Sequence, residues 1–351
     1  MKAFSFIIIA TIQALSSSSA FAESSSLHNL KPKNWGLESK AASVQKAWSL
    51  TEGSQNVVVA VIDTGIDPTH PDLKPNLWKA PSTGSRANSG STYGWDFVTN
   101  TSNPSDSHGH GTHIAGIIAG VANTKNGTAG VCQHCQIMPI RYYSETAPGN
   151  VNLSNTIKAI YYAVKNGAKI INYSGGGPEY SEEEFQAMRA AEKAGVLIVA
   201  AAGNDHRDTD VEDNRYYPAA YQLKGLKNIV TVASHSEDGK LLPSSNWGSK
   251  SVDVAAPGES ILSTLPGNRY GKMSGTSQAT AFVSGIAGLI LSKQPGLKPE
   301  QVKEIIMNNV DQLNNFYGKI ASGGKVDANK AILALDPGHL PTRKTASALV
   351  H

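Results

Sequence analysis

The sequence predicts an α/β protein in which a mostly parallel sheet carries helices on both faces. Short apolar runs rich in Val and Ile alternate with stretches of helical periodicity. Continuous runs of this kind are typical of strands that are buried on both faces, and the alternation predicts helices packed on each side of the sheet. The 351 residues are 40% hydrophobic and 17% charged, as in compact globular proteins. The predicted strands are residues 57–63, 136–142, 168–174, 195–204, 228–234 and 252–258.

The stretches between these runs carry helix signals. Ser181 and Glu184 form a capping-box pattern, and Gly195 stands where a C-terminal glycine ends a helix. Pro299 falls in the first turn of a later helix, where proline is tolerated. The predicted helices are residues 154–166, 181–195, 276–294 and 298–310.

The N-terminus has the layout of a secretory signal peptide. Lys2 precedes an apolar run over residues 3–12, and Ala-Phe-Ala at 20–22 provides a small-x-small cleavage site. A membrane anchor is the alternative, but the apolar run is too short for a helix that spans a membrane, and the residues that follow it are rich in serine. We therefore expect a signal peptide at 1–22, a linker at 23–33, and a secreted or periplasmic protein.

We expect the rest of the chain to form one domain from residue 34 to residue 335, followed by an unstructured tail at 336–351. The net charge of +3 is close to neutral for this length, and no stripe of Lys and Arg is present. We therefore expect no nucleic-acid partner, no membrane partner after signal cleavage, and a monomer.

The two cysteines, Cys132 and Cys135, are available only to each other. An oxidising compartment favours a local disulfide between them, which would stabilise a loop rather than the whole fold. A redox pair and a zinc site that includes His134 are the alternatives. Redox cysteines usually begin a helix, which the following apolar residues do not indicate.

Reactive groups of open α/β sheets gather at the carboxyl ends of strands. Asp63 follows the first apolar run and Asn204 follows the fourth. A buried carboxylate needs a partner, for which His110 is the natural candidate. Ser277 opens a long predicted helix, where free backbone N–H groups can bind an oxyanion.

Three histidines stand close together in DSHGHGTHIAG, residues 106–116. One interpretation is a zinc site, since His110 and His113 are three residues apart and would share a helix face. A helical metalloprotease pair, however, has two histidines four apart with a glutamate beside the first. The alternative is that the histidines have separate roles, one of them catalytic.

The chain order Asp, His, Ser separates one class of catalytic triad from others. With this order, the sequence resembles the subtilisin-like serine peptidases, the subtilases, over nearly all of residues 34–335. The matching stretches are VAVIDTGID around Asp63, HGTHIAG around His110, AAGN at 201–204, SNWG at 245–248, APGESILST at 256–264, SGTSQA around Ser277, and KVDANKAI at 325–332.

The resemblance implies a three-layer subtilisin-like fold and a secreted serine endopeptidase that works through an acyl-enzyme. Ser277 would be the nucleophile, His110 the general base, and Asp63 the group that orients the imidazole. The Asn204 side chain and the Ser277 N–H would bind the oxyanion. His113 resembles the buried structural histidine of the family, and His108 has no counterpart. A catalytically inactive subtilase fold that only binds peptides is the alternative, and a metal hydrolase is a third.

The resemblance also assigns the substrate groove. Ser174, Gly175 and Gly176 would form a strand edge that binds an extended protein or peptide substrate, with Ala201, Ala202 and Gly203 as the facing wall. Gly175 replaces a larger apolar residue of many relatives, so we expect weak selection by remote substrate side chains.

Two features depart from the family pattern. Relatives usually read Met-Ala-x-Pro-His after the nucleophile, whereas this chain reads Gln-Ala-Thr-Ala-Phe at 278–282. The missing proline removes a backbone restraint near Ser277. Relatives also commonly carry a folded propeptide, while only about a dozen residues separate Ala22 from Trp35.

A structural calcium ion is also implied by the resemblance. Its predicted ligands are Asp72 in HPDL and the oxygens of Asn123 and Asn126 in the loop 121–128. A polar turn without a metal is the alternative.

An acidic loop follows Asn204 and by resemblance borders the pocket for the residue before the cut. One hypothesis is a negative pocket that selects Lys or Arg; the alternative is that the carboxylates are solvated or hold a second cation. The acids are Asp205, Asp208, Asp210, Glu212 and Asp213, opposed by Arg207 and Arg215.

Overall fold

A computed structural model describes residues 34–80, 93–122 and 127–336. Its strands and helices alternate along most of the chain, as the sequence predicts. The strands are β1 (Val58–Asp63), β2 (Trp95–Asp96), β3 (Gln136–Arg141), β4 (Ile170–Tyr173), β5 (Leu197–Ala201), β6 (Ile229–His235), β7 (Val254–Pro257), β8 (Ile261–Leu265), β9 (Arg269–Met273), β10 (Val310–Gln312) and β11 (Gly324–Val326). The helices are α1 (Val44–Ala47), α2 (His110–Ala119), α3 (Gly149–Lys165), α4 (Glu182–Lys193), α5 (Thr276–Lys293), α6 (Pro299–Asn308) and α7 (Ala328–Leu333).

Nine of these strands form one sheet in the order β10-β11-β7-β6-β5-β4-β1-β3-β2. Every neighbouring pair is parallel except β10 and β11. The predicted parallel sheet is therefore confirmed. Strands β8 and β9 form a separate antiparallel hairpin that the sequence analysis did not predict.

The two faces of the sheet bury two different hydrophobic clusters. Val59 and Val61 of β1 face a cluster that contains α2 and α5, whereas Ala60 and Ile62 face one that contains α3 and α4. This alternation follows from the period of two in a strand. The result is the predicted three-layer arrangement, with a helical layer on each side of the sheet.

The helix boundaries agree with prediction at most ends. Helix α3 begins five residues earlier than predicted, because its first turn is polar: the Asn152 amide accepts from Ser144 N and donates to Ser144 O, at 3.1 and 3.0 Å. In α4, Ser181 Oγ accepts the N–H of Glu184 at 3.2 Å, and Gly195 follows the last turn with φ +72°.

The other half of the predicted capping box is wrong. The Glu184 carboxylate does not return to the backbone N–H of Ser181; that N–H donates to the Tyr221 hydroxyl instead. The carboxylate also bonds this hydroxyl, at 2.8 Å, in a buried environment. Burial raises the pKa of Glu184 to about 7, against the opposing hydrogen bonds from tyrosine hydroxyls.

The predicted signal peptide, the linker and residues 337–351 of the predicted tail lie outside the described residues. Asp336, the first residue of that tail, forms an ion pair with Lys293 at 2.7 Å. Among the described helices, none combines the length and the apolar character needed to cross a membrane.

Candidate active site

Asp63 and His110 form a buried hydrogen-bonded pair at the carboxyl end of the sheet. Asp63 is the last residue of β1 and His110 the first of α2. His110 Nδ1 lies 2.7 Å from Asp63 Oδ1, and both residues are at most 2% exposed. Asp63 Oδ1 also accepts the N–H of Thr64, at 2.7 Å. The carboxylate is thus placed to hold the imidazole with Nδ1 protonated and Nε2 available as a base.

Opposing effects set the pKa of His110. Burial alone would lower it, but the negative charges of Asp63 and Asp106 and the hydrogen bond to Asp63 together raise it above 6.5. The neutral, basic form of His110 therefore becomes predominant only at a pH above that of an ordinary histidine.

Ser277 is the second residue of α5, and its hydroxyl does not bond the Asp63–His110 pair. Its hydroxyl donates to the backbone carbonyl of Ser174 at 3.0 Å. Within the described residues, His110 Nε2 is buried and has no hydrogen-bond partner. Ser174 follows β4, which pairs with β1 so that Tyr173 is level with Ile62. The structure thus connects Ser277 to the end of the sheet that carries the Asp63–His110 pair, with the serine hydroxyl turned towards the predicted substrate edge.

Asn204 is held against the start of α5 by its amide oxygen. Asn204 Oδ1 accepts the N–H of Thr276 at 3.0 Å and the Thr276 hydroxyl at 3.2 Å. These bonds fix the plane of the amide and direct Nδ2 away from Thr276. The Nδ2 group of Asn204 is therefore an N–H donor beside the start of the helix that bears Ser277, a position suited to binding an oxyanion.

Asp106 is a site residue to which the sequence analysis assigned no role. Its Oδ1 accepts from His108 N at 2.9 Å, Gly109 N at 2.8 Å and Thr64 Oγ1 at 3.0 Å. Its Oδ2 accepts from the N–H and the hydroxyl of Thr112, at 2.9 and 2.6 Å. The carboxylate thus satisfies N–H groups at the start of α2 that have no partner within the helix. An Asp a few residues before a helix start is a recognisable capping signal, but its link to Thr64 is not visible in the sequence.

The two other histidines of the cluster have different partners. His113 is fully buried, and its Nε2 lies 3.0 and 3.1 Å from the carbonyls of Ile261 and Gly271. Burial, with the positive charge of His110, lowers the pKa of His113 to about 3, so the ring is neutral. His108 is partly exposed and lies 3.3 Å from Glu145. The described residues contain no group of three or more His, Cys, Asp or Glu that could hold a metal.

The departures after the nucleophile do not break α5, which runs regularly from Thr276 to Lys293. Phe282 is buried, and a Cβ atom on Gly36 would overlap its ring. Gln278 is also fully buried, and neither its amide oxygen nor its nitrogen has a partner among the described residues. A Cβ on Gly275 would lie 3.3 Å from Gln278 Oε1 and 3.4 Å from Asn204 Oδ1, so the two amides approach the same glycine.

The predicted substrate residues lie at the ends of two neighbouring strands. Residues 174–176 follow β4 and residues 201–203 end β5, which pairs with β4 in parallel. Both segments are buried. Next to Gly175, the space that a Cβ would need is filled by the hydroxyl of Tyr142, a fully buried side chain. A larger residue at 175 would therefore overlap this tyrosine.

The predicted calcium ligands are only partly covered by the structure. Asp72 is fully buried, its Oδ2 accepts from the Tyr270 hydroxyl at 2.8 Å, and its carbonyl accepts the N–H of Val121 at 3.0 Å. The start of the predicted loop therefore lies against Asp72. Asn123 and Asn126 lie outside the described residues.

Cys132 and Cys135 form a disulfide bond in the structure. Both cysteines are fully buried beneath α5, where a Cβ on Gly288 would lie 2.7 Å from the sulfur of Cys135. Strand β3 begins directly after Cys135. The pair therefore precedes a strand, as the following apolar residues indicate, rather than opening a helix.

The acidic loop distributes its carboxylates among several partners. Asp210 accepts hydrogen bonds from Ser251 N at 2.9 Å and from both Ser249 and Ser251 hydroxyls. Glu212 pairs with Arg215 at 3.2 Å, and Asp205 is exposed. Asp210 therefore stabilises a neighbouring loop. Asp210 and Glu212 have partners within the protein, an arrangement that neither hypothesis predicted, and the exposed Asp205 agrees with the alternative of solvated carboxylates.

Comparisons with known proteins agree with this geometry. A model of the subtilase family matches residues 54–324. The thermophilic serine proteinase of Bacillus sp. (strain AK1) is 37% identical over 281 residues, which are 79% of this chain and 63% of that protein. Thermitase of Thermoactinomyces vulgaris is 36% identical, covering 82% of this chain and 92% of thermitase. The halolysin-like extracellular serine protease Nep of Natrialba magadii is 35% identical, over 82% of this chain and 49% of its own length.

The family match covers most of the chain, and thermitase is matched over nearly its whole length. The family match includes the segments that carry Asp63, His110, Asn204 and Ser277. The chain therefore belongs to the subtilase family, the subtilisin-like serine endopeptidases.

Proposed function

We propose that the protein hydrolyses peptide bonds of exported or extracellular protein substrates through an acyl-enzyme formed on Ser277. The observation that carries this proposal is the buried Asp63–His110 pair, 2.7 Å apart, beside the start of the helix that bears Ser277. Export is supported by the signal-peptide pattern at 1–22 and by the name of one relative, which is called extracellular.

The first step concerns how substrate frees the nucleophile. An extended peptide that adds to the strand edge at 174–176 offers its backbone N–H to the Ser174 carbonyl. That carbonyl is the acceptor that now holds the Ser277 hydroxyl at 3.0 Å. Competition for it releases the hydroxyl, which turns to the free Nε2 of His110. Catalytic hydrogen bonds commonly form only in the substrate complex.

The chemical steps then follow. Ser277 Oγ attacks the scissile carbonyl carbon while His110 Nε2 takes the hydroxyl proton; the imidazolium is stabilised by Asp63. The oxyanion is bound by the Asn204 amide and the Ser277 N–H. His110 gives its proton to the leaving amine as the C–N bond breaks, and water hydrolyses the ester by the same route.

The test compares wild-type protein with Ser277→Ala on casein and on quenched fluorescent peptides. The matched control is Ser292→Ala, the same change on the same helix, at a hydroxyl that bonds only Gly288 O within α5. We expect hydrolysis to be lost in the first variant and kept in the second. A serine-reactive phosphonate should label Ser277 alone, as found by mass spectrometry of the peptides.

The pH dependence is a second readout of the same proposal. Activity should rise with pH as His110 loses its proton, with a midpoint above 6.5 because the pKa of His110 is raised. Peptide binding without hydrolysis or labelling would instead support the inactive, peptide-binding alternative. Hydrolysis that persists in Ser277→Ala would overturn the mechanism.

We also propose a structural calcium ion at Asp72, with the loop 121–128 supplying further oxygen ligands. The support is the buried carboxylate of Asp72 and the hydrogen bond from Val121, at the start of this loop, to its carbonyl. Carboxylate and amide oxygens are ligands that Ca²⁺ prefers. The protein is proposed to act as a monomer.

A further inference from the structure

Tyr216 occupies the space between the two walls of the proposed substrate groove. We propose that its ring fills the pocket for the side chain before the cut, so that the enzyme cleaves after Gly, Ala or Ser and discriminates against larger residues. This inference rests on the proposed function, since it assumes that 174–176 and 201–203 bind the substrate.

The contacts of the ring define its place. A Cβ atom on Gly176 would lie 2.9 Å from Cζ of Tyr216. A Cβ on Gly203 would lie 3.0 Å from Cδ2 of the same ring. Both distances are shorter than the 3.5–4.0 Å or so at which nonbonded carbon atoms pack. One ring therefore contacts a glycine on each wall and spans the gap between them.

The backbone on both sides of Tyr216 is fixed. Gly177 and Tyr217 exchange two backbone hydrogen bonds, from Gly177 N to Tyr217 O at 2.9 Å and from Tyr217 N to Gly177 O at 2.7 Å. The carbonyl of Tyr216 accepts the N–H of Ala220 at 2.8 Å. The backbone of the tyrosine is thus attached to one wall of the groove, so the ring can leave its place only by rotation about the side-chain bonds.

The glycines explain why the ring fits. Any side chain at 176 or 203 would overlap Tyr216, so the walls carry no side chains of their own at these points. We therefore expect the groove to accept a substrate side chain no larger than a methyl or hydroxymethyl group. A Phe, Leu, Lys or Arg side chain must displace the ring before it can enter.

The acidic-loop hypothesis predicts a different preference. It requires a carboxylate on the pocket floor, but the side chain that spans the two walls is Tyr216. Asp210 is bound by Ser249 and Ser251, and Glu212 by Arg215. A preference for Lys or Arg would therefore contradict the role proposed for Tyr216.

The experiment measures kcat/KM for a peptide series that varies only the residue before the cut, with Ala, Phe, Leu and Lys compared. Wild-type protein should prefer Ala. Tyr216→Gly should raise the Phe-to-Ala ratio by about 10- to 100-fold, as expected from opening space for one large apolar side chain. Tyr216→Phe keeps the ring and is the matched control, which should keep the wild-type selectivity.

Wild-type cleavage after Phe, Leu or Lys as fast as after Ala would overturn the proposal, as would an unchanged ratio in Tyr216→Gly. If that variant fails to fold, Tyr216→Ser serves in its place, and the wild-type preference remains a test by itself. Binding of peptides that end in Ala or Phe to Ser277→Ala protein, measured by calorimetry, reports on the pocket without hydrolysis. If the wild-type protein proved not to hydrolyse peptides but the Ser277→Ala protein still bound the Ala peptide more tightly than the Phe peptide, the proposed mechanism would fail and this inference would stand.

Discussion

The substitution Asp106→Asn tests whether one buried carboxylate positions the catalytic histidine. Asp106 accepts five hydrogen bonds, three on Oδ1 and two on Oδ2, and it stands four residues before His110. Asparagine has nearly the same shape but only one acceptor oxygen. The variant therefore keeps the volume of the side chain and removes half of its acceptors together with its charge.

The magnitude follows from the geometry. With the amide oxygen in place of Oδ1, the NH₂ group faces the N–H and the hydroxyl of Thr112. The hydroxyl can rotate and accept, but the Thr112 N–H cannot, and a buried unsatisfied donor costs about 1–3 kcal/mol. The remaining bonds lose their charge assistance as well. We expect a total loss of about 2–4 kcal/mol, a large part of the roughly 5–15 kcal/mol that stabilises a typical domain.

The assay is urea unfolding in a Ser277→Ala background, which prevents autolysis. The control is Asp213→Asn, the same change at an exposed position of the acidic loop, which should leave the free energy of unfolding within about 0.5 kcal/mol. In the active enzyme, loss of the Asp106 charge should move the pH midpoint of activity downward, because that charge raises the pKa of His110. Equal stability of the two Asp→Asn variants would refute the positioning role.

Three further predictions use the same Ser277→Ala background. Because burial raises the pKa of Glu184 to about 7 from its ordinary 4.5, the folded state keeps a proton that the unfolded chain releases. The free energy of unfolding should therefore fall by about 3 kcal/mol as the pH rises from about 4.5 to 7, and Glu184→Gln should lack this fall. The same pH dependence of the urea-unfolding free energy in both proteins would contradict the prediction. Gln278→Met should raise the free energy of unfolding, measured by urea denaturation, by about 1–3 kcal/mol, since it removes an unpartnered buried amide. A lower free energy of unfolding in this variant would contradict the prediction and would mean that the amide binds water or a ligand. Chelation of calcium should lower the melting temperature of the parent and of Asp213→Asn but not of Asp72→Asn, and identical melting curves with chelator and with excess calcium would contradict the site.

Most of the central sheet could be predicted from sequence because each strand is buried on both faces. β1, β4 and β5 consist of buried residues only, so their sequences are almost entirely apolar, apart from Asp63 and Asn172. The hairpin of β8 and β9 escaped prediction because β9 alternates exposed and buried residues over only five positions. A signal was nevertheless present: Gly267 and Asn268 lie in the three-residue connection between the paired Leu265 and Arg269, and both adopt the positive φ that glycine and asparagine favour in turns.

The candidate catalytic positions could be recognised in the sequence for a different reason. Asp63, His110, Asn204 and Ser277 each carry a local motif, and the resemblance supplied their roles. Tyr216 carries no such motif, because its importance depends on two glycines that lie 40 and 13 positions away in the chain. A pattern of neighbouring residues cannot reveal a side chain that fills space left by other segments.

A buried polar network links the substrate edge to the nucleophile's helix. Asn172, on β4, donates to the Ser174 hydroxyl at 2.9 Å, and its oxygen accepts the hydroxyl of Ser284 on α5 at 2.8 Å. The Ser174 hydroxyl donates in turn to the Ser277 carbonyl at 3.3 Å, while the Ser174 carbonyl holds the Ser277 hydroxyl. Side chains thus fix β4 and α5 together. The Ser277 hydroxyl is instead held by the Ser174 carbonyl, which is also the proposed acceptor for a backbone N–H of the substrate. In the proposed mechanism, the side-chain bonds between strand and helix would keep the groove in place as the substrate enters, and the exchangeable bond would allow substrate binding itself to direct Ser277 towards His110.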